Sequence, residues 1–144
     1  MKLRKILSGG QTGADRTGLE CAKELGLETG GTAPKYYLTE SGYDESLKEF
    51  GLKESWSIRY QPRTRDNVVD SDGTVWFGTT TSPGYICTRN FAIQYGKPFG
   101  VNPTPEMFKH LANIWEVINI AGNRKSKNPG VVDLVREAFK VLKR

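Results

Sequence analysis

The residues best suited to chemistry lie in loops rich in glycine and small polar side chains. Ser8-Gly-Gly-Gln-Thr-Gly-Ala-Asp15 follows a short apolar run and opens a helical pattern. Gly9, Gly10 and Gly13 let the backbone approach a bound group closely, and free N–H groups at a helix start favour a phosphate or another oxyanion. Thr12 or Asp15 is expected to cap that helix. The spacing is neither a Walker A loop nor a G-x-G-x-x-G fingerprint, so a plain tight turn is the competing reading. Gly78-Thr-Thr-Thr-Ser-Pro-Gly84 leads into a second helix carrying Thr88, and offers a second oxyanion site. Gly122-Asn-Arg-Lys-Ser-Lys-Asn-Pro-Gly130 leads into a third and brings cations. Arg63, Asn67 and Asp70 stand at i, i+4 and i+7 and so share a helix face. Arg63 and Asn67 suit hydrogen bonding to a ribose or phosphate, with a merely solvated face as the alternative. Replacing Gly10 by a bulky residue is expected to abolish binding and spare the fold.

Other chemistries are excluded by what the chain lacks. Its one histidine, His110, has no acidic or Cys partner at ligand spacing, which argues against zinc sites and hydrolase triads and for a surface or packing role. Cys21 and Cys87 fit no metal or redox spacing. With 144 residues, 37% hydrophobic and 26% charged, the chain reads as one ordinary globular domain over 1–144. No apolar run approaches the roughly 20 residues of a membrane span. The first residues lack a signal peptide's apolar core, so a cytoplasmic location is expected. The formal charge of +5 is local: residues 1–120 balance, and the excess lies in Ala121–Arg144, with Arg124, Lys125 and Lys127 in one loop. Such a cluster suits a small anionic ligand better than nucleic acid, whose binders spread charge along a stripe.

These loops need a scaffold, and the apolar pattern supplies one. Short apolar runs alternate with helical patterns, the mark of a parallel sheet with crossover helices. Strands are expected at Leu3–Leu7, Leu27–Gly30, Gly73–Phe77, Lys97–Val101 and Glu116–Ala121. Helices are expected at Asp15–Leu25, Arg63–Ser71, Tyr85–Tyr95, from Thr104, and at Val131–Leu142, with Val68 and Val69 turned inward on the second. Thr32–Gln61 is the least periodic stretch, with a short helix near Asp44–Phe50. The fold class is therefore α/β, a three-layer Rossmann-like domain with a mainly parallel sheet of about five strands. The polar loops follow strands rather than helices, which places a pocket beyond the strand ends.

Five segments carry a family resemblance: Ser8-Gly-Gly-Gln-Thr-Gly-Ala-Asp-Arg-Thr-Gly-Leu19, Gly30-Gly-Thr-Ala-Pro-Lys35, Arg63-Thr-x-x-Asn67, Ser71-Asp-Gly-Thr-Val75 and Ala121-Gly-Asn-Arg-x-Ser-x-x-Pro-Gly130. In order and over nearly the whole chain, they resemble the "putative molybdenum carrier" family. That family falls within the SLOG group, beside the Lonely Guy phosphoribohydrolases and the Smf/DprA DNA-processing proteins. The resemblance implies a pocket for a nucleotide or similar phosphate ester, and assembly as a dimer or tetramer. The phosphoribohydrolases carry Pro-Gly-Gly-x-Gly-Thr-x-x-Glu with a catalytic Glu. Here the matching stretch is Ser82-Pro-Gly-Tyr-Ile-Cys-Thr88, with no carboxylate through Tyr95. Asp15, Asp70 and Asp72 are then the remaining candidate acids.

Together these readings describe a protein that binds a small anionic, nucleotide-derived ligand as carrier, sensor or sequestering protein. A sponge for immune signals such as cyclic ADP-ribose isomers, of the kind a phage could encode, falls in this class. The alternatives are a phosphoribohydrolase-type enzyme and a carrier of molybdenum cofactor. The phosphate is assigned to Ser8, Gly9, Gly10, Gln11, Thr12 and Gly13, with Arg16 nearby. Thr32, Lys35, Arg63, Asn67, Thr80, Thr81, Ser82, Pro83, Gly84, Asn123, Arg124 and Ser126 complete the expected pocket, with no metal site.

Overall fold

The computed structural model describes residues 1–142; Lys143 and Arg144, counted above in the basic C-terminal stretch, lie outside the described residues. The sheet grows from its most apolar runs. Strands β1 (Lys5–Leu7), β2 (Glu28–Ala33), β5 (Leu52–Glu54), β6 (Gly73–Phe77), β7 (Phe99–Val101) and β8 (Val117–Gly122) pair in the order β5-β2-β1-β8-β6-β7. All five pairings are parallel. A separate hairpin of β3 (Leu38–Thr39) and β4 (Gly42–Tyr43) pairs only with itself. Strand β6, between β8 and β7, is buried at every residue, as expected where helices cover both faces of a parallel sheet.

Helices α1 (Ala14–Glu24), α2 (Tyr60–Asp70), α3 (Pro83–Gln94), α4 (Pro105–Ile114) and α5 (Val131–Lys140) make the outer layers. Right-handed crossovers decide their faces. The moves from β1 to β2 and from β7 to β8 run toward the β5 edge, which puts α1 and α4 on one face. The moves from β5 to β6 and from β6 to β7 run the other way, which puts α2 and α3 opposite. α5 joins α1 and α4 over the main core, where Ile6, Ile118, Ile120, Phe108, Val135 and Phe139 meet. A smaller core of Leu19, Ala33, Tyr37, Leu47, Phe50 and Leu52 supports the β5 edge.

The expected α/β Rossmann-like class holds, with six strands in the sheet rather than five. The added β5 escaped the pattern because only Leu52 of its three residues is buried. Helix α2 begins at Tyr60, three residues before the expected Arg63, because Pro62 sits in its first turn, where a missing N–H costs nothing. Val69 is exposed, so of the two valines only Val68 faces inward. No side chain caps α1, whose N-cap is Gly13, so neither Thr12 nor Asp15 has the capping role expected of it. Thr104 does cap α4, accepting from the Met107 N–H at 3.2 Å.

Candidate functional site

Strands β8 and β6 are neighbours whose following helices, α5 and α3, leave on opposite faces, and this divergence opens a crevice beyond their ends. A cavity of about 810 Å3 fills it. The β6 loop contributes Thr79 and Ser82–Gly84, and the β8 end contributes Ala121–Arg124 and Lys127. The start of α2 contributes Arg59–Gln61, Arg63 and Thr64, and the first loop contributes Gln11 and Asp15. Trp76 and Ile58 add apolar wall, and Leu38–Glu40 of the hairpin overhang it.

A buried ion pair organises the first loop. The Asp15 carboxylate, 3% exposed, receives the Gln11 N–H at 3.2 Å and faces Arg63 Nη1 at 3.4 Å. Burial pushes the Asp15 carboxyl above its ordinary value, against the opposing pull of Arg63 and the Gln11 and Gly9 N–H groups. Arg63 lies directly over Gly9: a Cβ there would stand 2.0 Å from Nη1, so a larger residue must displace the guanidinium. The Ser8 hydroxyl donates to the Asp15 carbonyl at 3.0 Å and accepts from the Gly10 N–H at 3.3 Å, so it shapes the loop from within. Gly13 has φ +85°, and a Cβ on it would lie 2.4 Å from the Asn123 carbonyl. The first loop and the β8 loop are thus in backbone contact.

Carboxamides hold the other loops. Asn67 accepts from the Thr32 N–H at 2.8 Å and donates to the Thr32 carbonyl at 2.9 Å. The Asn123 side chain accepts from the Thr79 N–H at 2.8 Å and from Asn128 at 3.2 Å. Asn102 accepts from the Gly78 N–H and donates to the Gly78 carbonyl, each at 2.8 Å.

At the mouth, Glu40 bridges two loops. Its carboxylate accepts from the hydroxyls of Thr12 and Ser126 and from the Ser126 N–H, and its own N–H donates to Gln11 Oε1 at 2.9 Å. Burial opposes ionisation of Glu40, but the hydrogen bonds from Ser126 and Thr12 and the Arg124 charge outweigh it and hold the carboxyl below its ordinary value.

Of the residues expected in the pocket, Gln11, Arg63, Ser82, Pro83, Gly84, Asn123 and Arg124 line the cavity. Thr12 and Ser126 stand behind Glu40. Arg16 turns away to Asp44 at 3.0 Å and Ser46 at 2.8 Å. Lys35 lies beside the Tyr36 ring, 5.0 Å from its centroid, and outside the cavity lining. Thr32 is buried, with its backbone committed to Asn67, and Thr80 and Thr81 are exposed outside the lining. Gly10 packs against the smaller core: a Cβ would meet Leu47 Cδ1 at 2.6 Å, so a bulky residue there disturbs the fold as well.

Two of the candidate acids stand elsewhere. Asp72 accepts from the Glu116 and Val117 N–H groups, each at 2.9 Å, at the opposite ends of the strands. Asp70 is exposed and shares a surface depression with Arg4, Lys5 and Lys53. Sequence reasoning missed Arg59, Tyr60 and Gln61 by starting α2 late, and missed Glu40 because its segment shows no period.

A Rossmann-like domain with a ligand-sized cavity at its strand ends defines the class. The sequence matches the circularly permuted YpsA SLOG family over residues 6–143, and the chain belongs to that family. The crystal structure of a "putative molybdenum carrier protein" from Syntrophus aciditrophicus superposes with a TM-score of 0.84 at 33% identity, covering 97% of this chain and 94% of that one. No curated protein matches the sequence. The resemblance read from the five motifs is borne out. Among the described residues, no helix is long and apolar enough to cross a membrane.

Proposed function

We propose that the protein binds a small anionic, nucleotide-derived ligand in the strand-end cavity and releases it unchanged, as a carrier, sensor or sequestering protein. The cavity itself carries this reading. Its volume of about 810 Å3 lies in the range of small-molecule sites, and Arg59, Arg63, Arg124 and Lys127 outnumber Asp15 and Glu40 on its walls. Tyr60, 38% exposed, gives a flat ring something to lie against. No carboxylate stands on α3, where the phosphoribohydrolase motif would place its glutamate, and this favours binding over glycosidic hydrolysis.

The name of the Syntrophus relative favours a second reading, in which the cargo is molybdenum cofactor. Among the described residues, no group of three or more His, Cys, Asp or Glu could take a metal ion. Such a cargo would therefore be held through its organic part, with the cofactor's phosphate met by the same cations.

Incubation with a mixed pool of nucleotides, ADP-ribose species and cyclic nucleotides, followed by washing, denaturation and mass spectrometry, tests the proposal. An intact compound retained near one per chain is the expected result. Loss of one pool member with release of its base or ribose phosphate would replace the binder by a hydrolase. Retention of nothing and consumption of nothing would sink the nucleotide reading, and molybdenum cofactor would be offered next.

A further inference from the structure

We infer that Glu40 is a built-in stand-in for a ligand anion: it occupies an oxyanion subsite made by the Thr12 and Ser126 hydroxyls and the Ser126 N–H, beside Arg124. This deepens the proposed function, because it locates one anionic group of the ligand and names the group it must displace.

Thr12 and Ser126 sit on the first loop and the β8 loop, which Gly13 brings into contact at the Asn123 carbonyl. Their two hydroxyls and one N–H converge on a single carboxylate, three donors from two loops far apart in sequence. Such a set binds phosphate or carboxylate oxygens equally well, since each oxygen needs only a donor along a lone pair.

Glu40 lines the cavity while Thr12 and Ser126 do not, so the side chain stands between the donors and the space a ligand would fill. Its carrier is a short hairpin anchored at its base, where Tyr37 packs in the smaller core and Asp44 meets Arg16 at 3.0 Å. The β3–β4 hairpin has two residues in each strand and no pairing with the six-stranded sheet. Tyr36 and Tyr37, which lead into it, both hold left-handed φ values, 63° and 55°, a costly conformation for residues with a Cβ. Beyond that base, the tip meets the first loop and the β8 loop through the bonds Glu40 makes. A ligand oxyanion that replaces the carboxylate recovers three of them and takes over the Arg124 charge that Glu40 now faces.

Inorganic phosphate is the probe, titrated calorimetrically at neutral pH into the full chain and its variants. Glu40→Ala should bind phosphate at least ten-fold more tightly than the wild type. Adding Ser126→Ala and Thr12→Val to Glu40→Ala should return affinity to the wild-type level. Glu40→Gln, which keeps hydrogen-bonding capacity but not the charge, should fall between. Equal phosphate affinity in the wild type and Glu40→Ala would overturn the inference, as would a gain that survives loss of both hydroxyls. The retention experiment reads the nucleotide proposal separately. A ligand held by the wild type with no gain in Glu40→Ala would reject the stand-in alone. A gain in Glu40→Ala with no nucleotide held would keep the subsite and reject the nucleotide reading.

Discussion

Replacement of Asn67 by alanine distinguishes a clamp from a ligand contact. The side chain is 1% exposed, and both its amide atoms serve one residue, Thr32, which is equally buried. Alanine leaves the Thr32 N–H and C=O without partners where water cannot easily reach them. Each orphaned group costs about 1–3 kcal/mol, so the pair costs about 2–6 kcal/mol. For a domain of this size, about 3 °C of Tm accompanies each kcal/mol, which gives a fall of about 6–18 °C. Asn67→Asp should do no better, because it presents a second acceptor to the Thr32 carbonyl and buries a charge.

Differential scanning calorimetry at neutral pH measures the effect, with Asp70→Ala as the control. Asp70 is exposed on the same helix, and its loss should stay within about 0.5 kcal/mol. An Asn67→Ala protein that melts within about 2 °C of the wild type would refute the clamp, since even one orphaned group costs about 1 kcal/mol or more. If that unchanged stability came with loss of ligand retention, Asn67 would be a binding residue after all.

Two further predictions address the first loop. Gly10→Val forces a Cβ against Leu47 and Leu52 at a φ of +77°, so overpacking and backbone strain together should cost about 2–5 kcal/mol, measured by urea unfolding; a midpoint equal to the wild type would show that the smaller core yields freely. Asp15 is held above its ordinary value of 3.8, first by burial, so the folded chain keeps that proton to higher pH than the unfolded chain does. Its contribution to stability is therefore greatest at low pH and declines as pH rises from 3.8 through the raised value. Asp15→Asn should flatten that part of the Tm–pH profile, and an unchanged slope would contradict the assignment.

How much of this was legible in the sequence depended on burial. β1, β6 and β8 lie near the centre of the sheet, and each shows as a short apolar run. β5 is an edge strand with Lys53 and Glu54 exposed, and its periodicity is that of a loop. The three glycine-rich loops, Ser8–Asp15, Gly78–Gly84 and Gly122–Gly130, pointed correctly to the ends of β1, β6 and β8, because close backbone approach leaves a compositional trace. The roles of individual polar residues left no such trace. Arg16 and Arg63 look alike in sequence, yet one meets Asp44 at the surface and the other meets buried Asp15 across the first loop. Glu40 could be found only from the contacts it makes.

The asparagines show how a polar residue beside a site is also spent on the main chain. Asn67 and Asn102 each donate to and accept from the backbone of one residue, Thr32 and Gly78, much as a neighbouring strand would. Only a carboxamide can do both at one site, because a carboxylate lacks the donor and a hydroxyl lacks the reach. The capacity that suits an asparagine to a ribose or a base edge is therefore the one that suits it to an unpaired stretch of main chain. In this domain Asn67 is committed to β2, and Asn102 and Asn123 to the β6 loop. That commitment fixes much of the rim before any ligand arrives, which lowers the ordering cost of binding. The cost that remains falls on the hairpin that carries Glu40, outside the reach of these clamps.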